Sequence, residues 1–222
     1  MVLLGPPAWG ETPLCGLPLA PVTHSVGALR IPDSVPFIEW SRLTEVKAHV
    51  PPLFDGFNST SFTAKLGHEV VHVKVIDKKM LKELISNEIH FYHEFSRRQL
   101  APSLIGITKF DGKHAIISEF VEPAVTLKTG MWELIEVRSE FKSAAAACRP
   151  CQAQWAERLE FIAQFLEQNR VQNSDLQFML MKDGTVLLYD FTFYQVIPAG
   201  QPYSRGTVGP IIDLAKRLRT GL

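Results

Sequence analysis

Between Leu53 and Ile76 apolar and polar side chains alternate in short runs broken by turn residues, the pattern of antiparallel strands. Phe62, Ala64 and Leu66 alternate with Ser61, Thr63 and Lys65. Gly67-His68 makes the hairpin turn, Val70 to Ile76 returns, and Leu53 to Gly56 is read as a further strand. From Asp77 to Arg98 the period changes: Leu81, Leu84, Ile85, Glu88, Ile89, Tyr92 and Phe95 share one helical stripe, with Asp77 as N-cap and Ala101-Pro102 as stop. Leu104 to Thr108, the turn Asp111-Gly112, and His114 to Phe120 then predict two more strands.

After Pro123 the pattern is mainly helical. Trp132 to Ala147 is one predicted helix and Ala153 to Gln168 another, the latter with Trp155, Leu159, Ile162, Ala163 and Leu166 as its buried stripe. Phe178 to Met181, the turn Lys182-Asp183-Gly184, and Val186 to Tyr189 predict a compact hairpin. Pro198 to Pro210 reads as a loop and Ile211 to Leu218 as a last amphipathic helix. The expected class is α+β.

Met1 to about Pro36 is rich in Pro and Gly and reads as a poorly ordered leader, without the basic start of a signal peptide. Pro36 to Leu43 is expected to strap onto the strand-rich part. No apolar run approaches the length needed to span a bilayer, so no membrane partner is expected. The chain has 222 residues, enough for one domain or two small lobes, and its 23 basic and 23 acidic residues leave no net field to attract nucleic acid. Cys15, Cys148 and Cys151 make an odd set that suits a reducing compartment, and cytoplasm is the expected location. The Cys148-Arg-Pro-Cys151 spacing suits redox or zinc chemistry, but no second Cys/His pair completes a tetrahedral site, and the pair is not carried forward as functional.

Two charged residues sit where apolar ones belong. Lys74 lies inside the apolar strand Val-Val-His-Val-Lys-Val-Ile, and a buried lysine is costly unless paired. Glu88 lies on the apolar stripe of the next helix, so each unusual placement supplies the other's partner. The plainer alternative is a solvated lysine at a strand edge and a glutamate on a helix face. Asp175 follows the predicted helix Ala153 to Gln168, and Asp190 ends an apolar hairpin strand, where a hard carboxylate oxygen suits magnesium.

The order of these parts resembles the protein-kinase-like superfamily: strands, Lys74, a helix with Glu88, two strands, a long helix, Asp175, a hairpin, and Asp190 in Leu-Leu-Tyr-Asp190-Phe-Thr. The resemblance runs from about Leu53 to Phe193. It is closest in style to aminoglycoside-phosphotransferase-like enzymes and to minimal effector kinases. It implies a two-lobed fold, with a five-stranded antiparallel N-lobe carrying one helix over residues 37–121 and a reduced, mainly helical C-lobe over 122–222.

The resemblance also implies ATP and Mg2+ as cofactors. Gly56, Ser59 and Thr60 in Phe54-Asp-Gly-Phe-Asn-Ser-Thr-Ser-Phe62 stand where a phosphate-covering loop belongs. His72 stands where the adenine ring is usually roofed by a small residue, and Glu119 and Val121 lie in the hinge position. Lys74 would grip phosphates, Glu88 would orient Lys74, Asp175 would orient the acceptor hydroxyl, and Asp190 with Gln177 would hold the metal. The implied reaction transfers the γ-phosphate to a protein or small-molecule hydroxyl.

The departures are specific. The loop has one glycine, Asn173 replaces the usual histidine, no asparagine follows Asp175, and Thr192 replaces the glycine after Asp-Phe. Most helices of a full second lobe are missing after Asp190. These departures keep an alternative open: a pseudokinase, binding nucleotide or none, that works as a protein-interaction module.

Overall fold

The computed structural model describes residues 29–49, 59–76, 82–128, 139–173, 175–204, 206 and 208–221. Most of the expected leader, the strand expected at Leu53 to Gly56, the cap Asp77 and the first turns of the helix expected from Trp132 lie outside these residues.

The chain first builds an antiparallel sheet of five strands: β1 (Leu43–His49), β2 (Ser59–Leu66), β3 (Glu69–Ile76), β4 (Leu104–Phe110) and β5 (Lys113–Glu119), in the order β1-β2-β3-β5-β4. Helix α1 (Lys82–Ser96) joins β3 to β4. The alternation read from the sequence sets the register of the central hairpin, with Gly67 in the left-handed region (φ +65°) at its turn. Strand β1, which the sequence pattern does not announce, supplies an edge of the described sheet, and its register against β2 shifts between Thr44 and Lys47.

Alternation along β3 sorts its side chains. Val71, Val73 and Val75 face one apolar cluster with Leu43, Ala64, Ala115 and Ile117. His72, Lys74 and Ile76 face the other way, where Ile76 joins the larger core with Ile116 and α1. Pro36 to Ile38 straps onto β4: Ile38 N–H donates to the Ile107 carbonyl (2.8 Å) and Ile107 N–H to the Pro36 carbonyl (3.0 Å). Gly106 permits this approach, because a Cβ there would lie 2.7 Å from the Pro36 oxygen.

The remainder is built around α3 (Arg149–Gln168), preceded by α2 (Ser139–Ala147) and covered by α4 (Gly209–Thr220). Trp155, Leu159, Ile162 and Leu166 are fully buried, as their helical spacing requires. A second sheet of three strands, β6 (Val125–Lys128), β8 (Gln177–Leu180) and β9 (Val186–Tyr189), runs in the order β6-β8-β9. A two-stranded pair joins β7 (Val171–Gln172) to β10 (Gln195–Val196). The short strands β6, β7 and β10 were not expected from the sequence. A ring cluster of Phe91, Phe95, Phe191 and Tyr194, with centroids 5.0–5.7 Å apart, ties α1 to the segment after Asp190.

Cys148 and Cys151 are joined as a disulfide, which departs from the expectation of a chain bearing only thiols. No described helix is long and apolar enough to cross a membrane.

Candidate functional site

Lys74 sits mid-strand in β3, flanked by Ser61 on β2 and Ile116 on β5. Its Nζ donates to Glu88 Oε1 at 2.5 Å and to Asp190 Oδ1 at 3.0 Å. The Glu88 side chain is 1% exposed, that of Lys74 12% and that of Asp190 23%, so this ion triad, drawn from β3, α1 and the residue after β9, is dry at Glu88 and opens toward solvent at Asp190. Burial pushes the Lys74 ammonium down, but the two carboxylates outweigh it and hold its pKa above the ordinary lysine value. Burial pushes Glu88 up, and Lys74 offsets only part of that rise. For Asp190 burial also raises the carboxyl, but the Lys74 ammonium and the hydrogen bonds from Lys74 and Thr192 hold it below its usual range.

Asp190 adopts φ +59°, a conformation that costs energy for a residue with a Cβ and that aspartate tolerates better than most. The turn aims its carboxylate back at β3. Thr192 locks it there: its hydroxyl oxygen lies 2.9 Å from Asp190 Oδ1 and 3.1 Å from Glu88 Oε2. Asn87, buried on α1, donates its amide to the backbone oxygens of Tyr194 and of Thr192, fixing the segment that carries these groups.

Asp175 joins through Gln177, whose Nε2 lies 3.2 Å from Asp175 Oδ2 and 3.2 Å from Asp190 Oδ2. Asn173 shapes the loop that presents Asp175: its Oδ1 accepts from the Asp175 N–H and its Nδ2 donates to the Asp175 carbonyl, both at 2.9 Å. An asparagine thus braces this loop in the position where the kinase resemblance puts a histidine.

Beside the cluster a cleft opens between the five-stranded sheet and the second sheet. His72, Lys74, Glu88, Glu119, Val121 and Asp190 all line it, together with His49, Ser61, Tyr92, Thr126, Met179 and Tyr189. The His72 ring lies edge-on to His49 at 5.8 Å, and His49 is edge-on to Phe120 at 5.6 Å. Burial, then the neighbouring His49 and Lys74, push the His72 imidazole down to about 4, so it is neutral at pH 7. The Tyr92 hydroxyl meets Ser118 at the back of the cleft. The Glu119 carboxylate is held by the N–H (3.2 Å) and hydroxyl (2.9 Å) of Ser103.

The phosphate-loop candidates fare differently. Gly56 lies outside the described residues, as does the side chain of Ser59. Thr60 is exposed opposite Val75, on the sheet face away from Lys74, and is not brought to the cleft. Residues missed by sequence reasoning are Tyr92, Thr192, His49 and Ser61. Thr192 carried a signal, a hydroxyl two positions after a turn aspartate. The other three reach the cleft only through strand register and helix packing.

No family model matches the sequence, and a comparison with curated proteins finds no match. Among the described residues no group of three or more His, Cys, Asp or Glu is gathered in a way that would hold a metal by itself.

Proposed function

We propose that the chain is a kinase-like phosphotransferase of two lobes that uses ATP and Mg2+ to phosphorylate a hydroxyl on a protein or small molecule in the cytoplasm. The observation that carries this reading is the meeting of Lys74 with both Glu88 and Asp190 at the floor of a cleft. A purely structural triad has no evident use for an accessible cleft or for a strained aspartate.

The donor set suits the cofactors. Asp190 offers hard oxygens, and magnesium is commonly held by one or two carboxylates with the rest of its shell from phosphate and water, so no larger acidic cluster is required. Gln177 presents Nε2 to both carboxylates, and a half-turn of its amide would present Oε1 to a cation between them. ATP would supply the phosphoryl group and Mg2+ would neutralise its charge.

In this reading Lys74 binds the phosphate oxygens and Glu88 keeps its ammonium in place. Asp175 accepts a hydrogen bond from the acceptor hydroxyl and orients it for in-line attack. His72, neutral and apolar in effect, roofs the base beside Val121. The second reading, a pseudokinase module, is favoured by the amide nitrogen of Gln177 filling the gap between the two carboxylates.

A thermal-shift titration with ATP, with and without Mg2+, separates the readings. The expected result is a Mg2+-dependent rise in Tm that Lys74→Ala and Asp190→Ala remove, with Asp175→Asn sparing the shift but lowering ATP turnover. No shift at millimolar nucleotide overturns nucleotide binding. A shift without turnover favours the interaction module.

A further inference from the structure

The Cys148–Cys151 pair stands at the start of α3, away from the cleft. Cys148 is the N-cap, Arg149 and Pro150 form the exposed first turn, and Cys151 is 3% exposed while Cys148 is half-buried. A bridge between positions three apart encloses so short a loop that it restrains the unfolded chain less than a long-range disulfide does. Cys148 is the hinge between two helices: its N–H donates to the Ala144 and Ala145 carbonyls at the end of α2, and it caps the N-terminus of α3, an end that favours a thiolate.

A further contact separates a switch from a staple. The Lys182 carbonyl oxygen lies 3.0 Å from Cys151 Sγ. A disulfide sulfur has no proton to give that oxygen, whereas a thiol donates to it. A reduced Cys151 thiol therefore has an acceptor at hand in the Lys182 carbonyl, and a pair whose reduced form is stabilised is a readily reducible one. The same turn accepts a hydrogen bond from Trp155 Nε1 through the Met181 carbonyl (2.9 Å), so the acceptor beside Cys151 is held in place.

We infer that Cys148 and Cys151 form a redox-active dithiol–disulfide pair that exchanges with small thiols of the glutathione class, Cys148 being the attacking sulfur and Cys151 the resolving one. On oxidation the Cys148 thiolate attacks a small disulfide, forming a mixed disulfide and releasing one thiolate. Cys151 thiolate then attacks the Cys148 sulfur, closes the internal bond and expels the second thiolate. The released thiolates take up the two protons lost by the cysteines, so two protein thiols are oxidised as one small disulfide is reduced to two thiols. A compartment rich in reduced glutathione would hold the pair open, in keeping with the reducing location expected from the odd cysteine count.

The test equilibrates the full chain, as Cys15→Ser, in reduced and oxidised glutathione over a range of ratios, then alkylates the thiols and weighs the intact protein. The expected result is loss of both alkylatable thiols together across the range. Oxidised glutathione added to reduced Cys151→Ser should trap one adduct, and added to reduced Cys148→Ser little or none. A bridge that persists at the highest reduced fraction, or one that fails to close in excess oxidised glutathione, overturns the inference. So does an adduct that forms on Cys151 as fast as on Cys148. If either serine variant fails to fold, the equilibrium series on the Cys15→Ser chain still decides.

Discussion

Gln177 and Asp190 stand 3.2 Å apart, Nε2 to Oδ2, at the two ends of the β8–β9 hairpin, and the same Nε2 lies 3.2 Å from Asp175. One neutral amide thus holds two carboxylates together, while the Lys74 ammonium meets the other oxygen of Asp190.

Gln177→Ala should expose the two carboxylates to each other and cost about 1–3 kcal/mol of stability, the range for an unsatisfied buried polar group. Millimolar Mg2+ should narrow that gap, because a cation replaces the lost amide hydrogens. Denaturant melts of both proteins with and without Mg2+ measure it. An equal gap in both conditions argues against a cation site between Asp175 and Asp190.

His72 gives a pH signature. Its folded pKa is about 4 against an ordinary 6.5, so the unfolded chain binds the proton more readily between those values. The contribution of neutral His72 is present above pH 6.5 and is lost as pH falls toward 4, approaching about 2–3 kcal/mol there. Against His72→Gln, the wild type should lose more stability between pH 7 and pH 4.5. Parallel curves would contradict the burial of that ring.

Arg170 clamps the segment after β10. Its Nε donates to the Ile197 carbonyl (3.0 Å), its Nη2 to those of Pro198 (3.3 Å) and Gln201, and its guanidinium lies over Tyr203 at 5.7 Å. A planar fork suits this set of carbonyls and an ammonium does not. Arg170→Lys should therefore loosen residues 197–204 with little change in the core. Limited proteolysis should cut that segment several-fold faster in the variant, with Tm lowered by only a few degrees.

Much of this arrangement could be read from the sequence wherever the signal was local. The β2–β3 hairpin, α1, α3 and the β8–β9 hairpin each carry their own period and turn residues, and Lys74 and Glu88 stood out as charges in apolar stripes. Strand β1 did not, because of its seven residues only Leu43 is buried and Thr44, Glu45 and Lys47 point outward; its strand character comes from pairing with β2. β6 is four residues long and exists only through its pairing with β8, some fifty positions along the chain. The bridging role of Gln177 was hidden for the same reason: a glutamine's partners are set by what folding brings beside it. Thr192 stood in the sequence only as a replacement for a glycine, whereas its hydroxyl oxygen lies within hydrogen-bond distance of two acids of the site.

The span between Lys74 and Asp190, 116 positions, has a bearing on synthesis. As the chain leaves a ribosome, Lys74 and Glu88 emerge long before the hairpin that carries the opposing aspartate. Until then the ammonium and Glu88 have only each other and water. The third member of the triad arrives with Thr192 and the aromatic residues that fasten it to α1. A nascent chain stopped short of β9 thus carries Lys74 and Glu88 without Asp190, and the triad closes only after the last of the three has emerged.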